Sequence, residues 1–215
     1  MNNKITMVVT SCGRGDLLKR TLDSFEKHNT AILERKIIID DSGDPVFQAG
    51  LLQEYGMNYE VIANNPKIGH LASIDLVYSR VATPFIFHCE DDWEFRRSGF
   101  IEESIDILKE DPKMLQVWIR DKVDSIHPEI PDIYQTASGL RYQNMSQWDE
   151  WCGFSWNPGL RRLSDWKDLG GYSPFKTERA ISMHYQENGH FAGRTLDGYC
   201  IHIGWNRHVH DPHQE

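Results

Sequence analysis

Three consecutive carboxylates, Glu90-Asp91-Asp92, follow directly on the apolar run Phe85-Ile86-Phe87-His88-Cys89. In a desolvated cleft such charges repel one another, and a hard divalent cation relieves the repulsion. Magnesium keeps waters and takes one or two carboxylates together with phosphate oxygens, so a diphosphate ligand would suit the triplet. The same residues also read as a solvated turn in which Asp91 or Asp92 caps a following helix. Their position at the end of a buried strand, in register with Asp40-Asp41 after Ile37-Ile38-Ile39, favours the cation. Two other apolar runs end in Thr10-Ser11 and Asn64-Asn65. Ligands of open parallel sheets bind outside the carboxyl ends of the strands, so these four ends are expected to converge.

The elements that must position them are read by period. Ile5 to Thr10 is a β-branched strand closed by Ser11-Cys12-Gly13, and Leu17, Leu18, Thr21, Leu22 and Phe25 recur at helical spacing. After the second strand, Phe47, Leu51, Leu52 and Tyr55 fit one helical face that stops at Gly56. A third strand at 59–63, the turn-rich segment 64–69, a helix from His70 with Leu71, Ile74, Val77, Tyr78 and Val81 buried, and the strand 85–89 complete a βαβαβαβ alternation. Short connections in that order predict a mainly parallel sheet covered by helices. A helix over Phe100, Ile101, Ser104, Ile105 and Leu108 and a strand from Met114 to Ile119 follow, and the stretch 121–147 reads as irregular. There is no internal repeat or linker, so the second half is expected to complete the same domain.

Composition bounds the function. The chain has 215 residues, 40% hydrophobic and 26% charged, which is globular rather than disordered. A net charge of -9 argues against binding nucleic acid through its backbone. Neither G-x-G-x-x-G after the first strand nor a P-loop occurs, so phosphate must be met by another route. No apolar stretch approaches the length of a signal core or a membrane span, and a cytoplasmic protein is expected, with peripheral contact to a membrane-borne substrate left open. Cys12, Cys89, Cys152 and Cys200 form no C-x-x-C pair and are expected as reduced, packed thiols.

The ordered set Val9-Thr10-Ser11-Cys12-Gly13-Arg14, Leu18 with Leu22-Asp23-Ser24, Ile39-Asp40-Asp41-Ser42, Asn65 with Gly69, and Glu90-Asp91-Asp92 resembles the nucleotide-binding half of a GT-A glycosyltransferase of family two. The resemblance covers roughly the first hundred residues. It implies a Rossmann-like αβα sandwich in one domain over 1–215, with 1–95 binding a nucleotide sugar and 96–215 facing the acceptor. It also implies that Thr10 and Arg14 line the nucleotide, that Asp40 or Asp41 meets the base or ribose with Asn65 nearby, and that Asp92 ligates Mn2+ or Mg2+. Glu90 stands where the family's motif has Asp, and its longer arm would reach the ribose beside Asp91. The donor would be a UDP- or GDP-sugar, and the acceptor a saccharide or lipid-linked saccharide of a surface glycan.

The second half is similar less closely. Trp156-Asn157-Pro158-Gly159-Leu160 followed by Leu169-Gly170-Gly171-Tyr172 resembles the segment preceding the family's catalytic acidic pair. Counting back from Gly189 puts Glu178 on the Asp of that pair and Thr177 on its Glu, so Glu178 is the candidate base of an inverting transfer. The other reading of Glu178 is a helix-start acid facing the dipole or pairing with Arg179. A C-terminal histidine completes the metal site in some such enzymes, which makes His202 the second candidate ligand. His208, His210 and His213 read as a polar terminus.

Arg161-Arg162 would clamp an oxyanion or lie on a solvated edge, and Arg96-Arg97 reads as a solvated helix start. Trp148, Trp151 and Trp156 would stack on sugar or pack in the core. Two other functions stay open: a non-catalytic nucleotide-sugar or glycan-binding module, which needs no Glu178, and a sugar nucleotidyltransferase, whose glycine-rich N-terminal signature is missing.

Overall fold

The computed structural model describes residues 3–124, 132–146, 153–207 and 209. The chain begins with β1 (Ile5–Ser11), α1 (Gly15–His28), β2 (Arg35–Asp40), α2 (Pro45–Tyr55), β3 (Glu60–Ala63), α3 (His70–Ser79) and β4 (Phe85–Glu90), the alternation its periodicity predicts. It continues with β5 (Trp93–Phe95), α4 (Phe100–Leu108), β6 (Met114–Trp118), β7 (Ile133–Gln135), β8 (Arg141–Asn144), β9 (Gly159–Arg162), α5 (Leu163–Leu169), α6 (Glu178–Glu187), β10 (Phe191–Thr195) and β11 (Cys200–His202).

Among the described residues nine strands form one sheet in the order β3-β2-β1-β4-β9-β6-β10-β8-β7. β1 pairs in parallel with β2 and β4, β2 with β3, and β6 with β10. β9 runs antiparallel to both β4 and β6, so the carboxyl ends of β1, β2, β3, β4, β6 and β10 all meet one edge. β5 and β11 make a separate antiparallel pair, in which His202 lies opposite Trp93.

Strands buried on both faces carry continuous apolar runs. Met7 and Val9 of β1 pack with Leu18, Leu22 and Phe25 of α1 and Ile101 and Leu108 of α4, while Val8 faces Ile74, Val77 and Tyr78 of α3 with Leu163 of α5 and Ile181 of α6. The result is helices on both faces of the sheet. Asp44 caps α2 by accepting from the backbone N–H of Val46 at 2.9 Å and of Phe47 at 3.1 Å, with Pro45 supplying the preset φ of the first turn. Among the described residues no helix is long and apolar enough to cross a membrane. Cys12, Cys89 and Cys200 are free thiols, and Cys152 lies outside the described residues.

Three expectations are corrected. Leu52 is exposed, and Gln48 takes the buried place on α2 because its amide bonds the Asp40 and Asn64 loops. The stretch 121–147 is not wholly irregular: β7 and β8 form a hairpin whose turn is closed by Thr136 and Leu140, and Tyr142 and Gln143 are buried against β10. Arg96 and Arg97 do not start a helix, since α4 begins at Phe100 and Arg97 instead donates to the Gly198 carbonyl at 2.7 Å.

Candidate active site

The loops at the carboxyl edge are built from the carboxylates that end the strands. Asp40, wholly buried at the end of β2, accepts from Gly13 N–H at 3.0 Å, Ser42 N–H at 3.0 Å and Gln48 Nε2 at 3.2 Å. Its carboxylate thereby joins the β1 and β2 loops. Gly13 has φ 73°, where a side chain would be strained, so this close approach of backbone to carboxylate calls for glycine. Asp41 Oδ1 accepts from Asn64 Nδ2 at 3.0 Å and Ile68 N–H at 2.8 Å, and Oδ2 from Gly69 N–H at 2.8 Å.

A cleft of about 260 Å³ opens among these loops. Thr10, Arg14, Asp41, Glu90, Asp91, Asp92 and His202 line it, so seven of the residues singled out in the sequence come together there. Asp40 lies behind the wall rather than in it, and Asn65 is exposed and outside it, with the buried Asn64 holding the loop instead. Lys67, His70 and Ser73 also line the cleft without having been singled out. The signal for them was the turn-rich segment after the third strand, one of the four strand ends already expected to converge.

The acidic turn after β4 is clamped from below. Thr21 of α1 donates to the Asp91 carbonyl at 2.8 Å and accepts from Trp93 N–H at 3.0 Å. Asp91 is fully buried; it accepts from Ser11 Oγ at 3.0 Å and is paired by Arg14. Asp92 Oδ2 meets Arg14 Nη1 at 2.8 Å and His202 Nε2 at 3.2 Å. Register between β5 and β11 is what delivers His202 to that place.

Burial pushes Asp91 up to about 6 against the pull of Arg14. Burial also opposes ionisation of Asp92, but His202 and Arg14 outweigh it and hold its pKa below the usual carboxylate value. Glu90 lies well above the ordinary range through burial and the charges of Asp92 and Glu178. His70 Nε2 stands 4.0 Å from Glu90 Oε1.

Asp92 Oδ1 is buried and has no hydrogen-bond partner among the described residues. An anionic oxygen in that state is suited to a cation, and the His202 imidazole next to the same carboxylate is a compatible donor. Among the described residues no three His, Cys, Asp or Glu side chains form a complete metal-holding group. A hard cation here would fill its shell with phosphate oxygens and water.

Gly204 backs this carboxylate: a Cβ built on it would come within 2.4 Å of Asp92 Oδ2 and 2.7 Å of Asp92 Cβ. Gly204→Ala is therefore expected to displace Asp92 and to weaken a divalent cation held through it, with Mn2+ as the probe, about tenfold or more, the loss typical of disturbed ligand orientation. Titrating Mn2+ into folded variant and native protein checks this, and equal affinities would refute it.

Glu178 opens α6 behind Thr177, whose hydroxyl accepts from Ala180 N–H at 3.1 Å. One Glu178 oxygen accepts from Trp156 N–H at 3.0 Å, and burial pushes the carboxyl up to about 7. It does not line the cleft but lies beyond Glu90, near enough for its charge to raise the Glu90 pKa. Arg179 is exposed and makes no ion pair with it among the described residues.

Trp156 packs in the core against Phe154, Tyr172 and His88, while Trp148, Trp151, His208, His210 and His213 lie outside the described residues. Arg161 and Arg162 are neither an edge nor at the cleft. β9 lies between two strands, so Arg161 is buried over the Phe154 and Trp156 rings and Arg162 donates to the Met114 carbonyl at 2.6 Å.

No family model and no curated protein sequence matches this chain. Solved structures do match its fold. TarS of S. aureus, residues 1–349, superposes with a TM-score of 0.67 at 13% identity over 94% of this chain. The mannosyltransferase PcManGT from Pyrobaculum calidifontis, in complex with GDP-Man and Mn2+, gives 0.66 at 10% over 96%. GalNAc-T7 with UDP, GalNAc and Mn2+ gives 0.66 at 14% over 93%. This chain spans 60%, 59% and 43% of their respective lengths. The likeness shows the GT-A fold, the Rossmann-like sandwich that the sequence resemblance implies.

Proposed function

We propose that the chain is a metal-dependent glycosyltransferase that moves a sugar from a nucleoside diphosphate to a hydroxyl acceptor with inversion. The observation carrying this reading is the cleft wall itself, where Asp92 presents a buried oxygen without a hydrogen-bond partner among the described residues, beside His202 and Arg14, in a cleft that Thr10 and Asp41 also line. Mn2+ is the cation in two of the similar structures, each holding a nucleotide or nucleotide sugar. The acceptor, on the sequence resemblance, is a saccharide of a surface glycan.

Asp92 and His202 would hold the cation, which when bound neutralises charge on the departing diphosphate as a Lewis acid. Arg14, held by Asp91 and Asp92, sets its positive charge in the cleft wall toward the same oxygens. Asp41, fixed by three donors, sets the wall against the base or ribose. Glu178 takes the proton of the acceptor hydroxyl as the new bond forms at the anomeric carbon, and a pKa of about 7 poises it for that exchange near neutral pH. Attack opposite the departing diphosphate in one displacement inverts that carbon.

Screening nucleotide sugars by thermal stabilisation tests the reading, because a ligand bound by the native state alone raises the midpoint. At least one UDP- or GDP-sugar is expected to stabilise the protein with Mn2+ and much less without it, and to be slowly hydrolysed. Stabilisation by every donor alike, or by none, would count against it. Binding without hydrolysis, even with saccharide acceptors supplied, would favour a non-catalytic module.

A further inference from the structure

Two arginines stand at the same sheet edge on strands the donor reading does not use. Arg194, near the end of β10, is 4% exposed, and its Nε has no hydrogen-bond partner among the described residues. It forms no ion pair among the described residues. Arg120, just beyond β6, is paired with Asp124 at 3.2 Å and lies over the Trp93 and Trp205 rings at 5.3 and 5.2 Å. Those rings flank His202 at 5.1 and 4.7 Å, so Arg120 is one aromatic layer from the Asp92 carboxylate.

The face on which Arg194 stands follows from its pairing. It lies two residues past Ala192, which packs with Trp118 and Met145, and it is in register with Trp118. The Trp118 indole donates to the Gly153 carbonyl at 2.7 Å, three residues before the Trp156 amide that holds Glu178. Arg194 is therefore on the Glu178 face of the sheet, at its carboxyl edge. A buried guanidinium without a counter-ion is costly. Burial and the neighbouring Arg120 charge both press the Arg194 pKa down, against Asp121. A chain of net charge -9 has no general need for cations there. Retaining one that makes no ion pair among the described residues suggests that its partner arrives with a ligand.

We infer that Arg194, with Arg120 beside it, receives an anionic group of the acceptor, a phosphate or a carboxylate on the saccharide whose hydroxyl faces Glu178. This rests on the glycosyltransferase reading and adds to it the charge of the acceptor. A guanidinium fork matches either oxyanion, so the two sources are separated by experiment.

Calorimetry on the full chain without nucleotide would use glycerol 3-phosphate, glucuronate and uncharged glycerol as probes. At least one anion should bind where glycerol does not. Its affinity should fall about tenfold or more in Arg194→Gln, as expected for a lost charge-assisted hydrogen bond, and stay unchanged in Arg14→Gln. The tighter anion names the acceptor's charged group. Arg194→Met should abolish anion binding while raising the thermal midpoint of the ligand-free protein, since it removes a buried unpaired charge. Binding of neither anion, binding that survives Arg194→Gln, binding that depends on Arg14 instead, or a lowered midpoint in Arg194→Met would each overturn the inference. UDP with Mn2+ is titrated into the same samples. If it binds and the anions do not, only the anionic acceptor falls; if it does not bind, the donor reading falls and takes the acceptor role with it.

Discussion

Glu178→Gln is expected to lower kcat for sugar transfer about 10²- to 10⁴-fold while leaving donor binding intact. That range is what a positioned general base contributes, and it corresponds to about 3–5 kcal/mol of barrier. Glutamine has the same shape, and its carbonyl oxygen can accept the Trp156 N–H bond that Glu178 now takes at 3.0 Å. What the variant loses is the ability to accept a proton. The pH profile gives a second, independent readout. With its pKa pushed up to about 7 by burial, Glu178 is protonated and idle in acid and becomes the working carboxylate as pH rises through that value. Native kcat should therefore climb over roughly a unit on either side of it and then level, whereas the residual activity of Glu178→Gln should lack that limb. A variant with near-native kcat would remove Glu178 from the chemistry and leave it as a helix-start acid held by Trp156.

The sequence showed where the cleft should lie because the signals are local. An apolar strand followed by polar residues recurs four times in the first hundred residues, and parallel topology turns those four ends into one edge. Asp41, Asp91 and Asp92 line that cleft, as their strand-end positions imply. Period alone could not separate Asp40 from Asp41, or Asn64 from Asn65, because adjacent residues at a strand end point opposite ways. The structure gives the first of each pair a scaffolding place, Asp40 by donors from Gly13, Ser42 and Gln48 to its carboxylate and Asn64 by its amide between Asp41 and Ser73.

The second half was less legible because its order is set by non-local pairing. β9 inserts antiparallel between β4 and β6, which buries Arg161 where a sequence window shows only two adjacent cations. Likewise the hairpin of β7 and β8 is short and mostly exposed on its outer strand, so it has little apolar periodicity to betray it. His202 is an intermediate case. Its alternating strand was visible, but its approach to Asp92 depends on the β5 to β11 register, which the sequence does not display.

Asp92→Asn is expected to abolish the Mn2+ dependence of donor binding and to lower sugar transfer by at least about 10²-fold. The substitution preserves shape, so Arg14 and His202 keep an oxygen to approach, but the charge that would hold a cation is gone. Lewis-acid neutralisation of a leaving diphosphate is worth several kcal/mol, and each 1.36 kcal/mol is a factor of ten. Asp92 is the residue to test rather than Asp91. The Asp91 carboxylate is fully buried and already engaged by Ser11 and Arg14, whereas Asp92 retains one oxygen without a partner. The direction of its pKa agrees: opposed by burial but held low by His202 and Arg14, Asp92 stays charged across the neutral range and brings that charge to the cation at no proton cost. Paired titrations of Mn2+ with UDP into native and variant protein read this directly. Native-like Mn2+ stabilisation of the nucleotide complex in Asp92→Asn would place the cation elsewhere and reduce Asp92 to a counter-ion for Arg14.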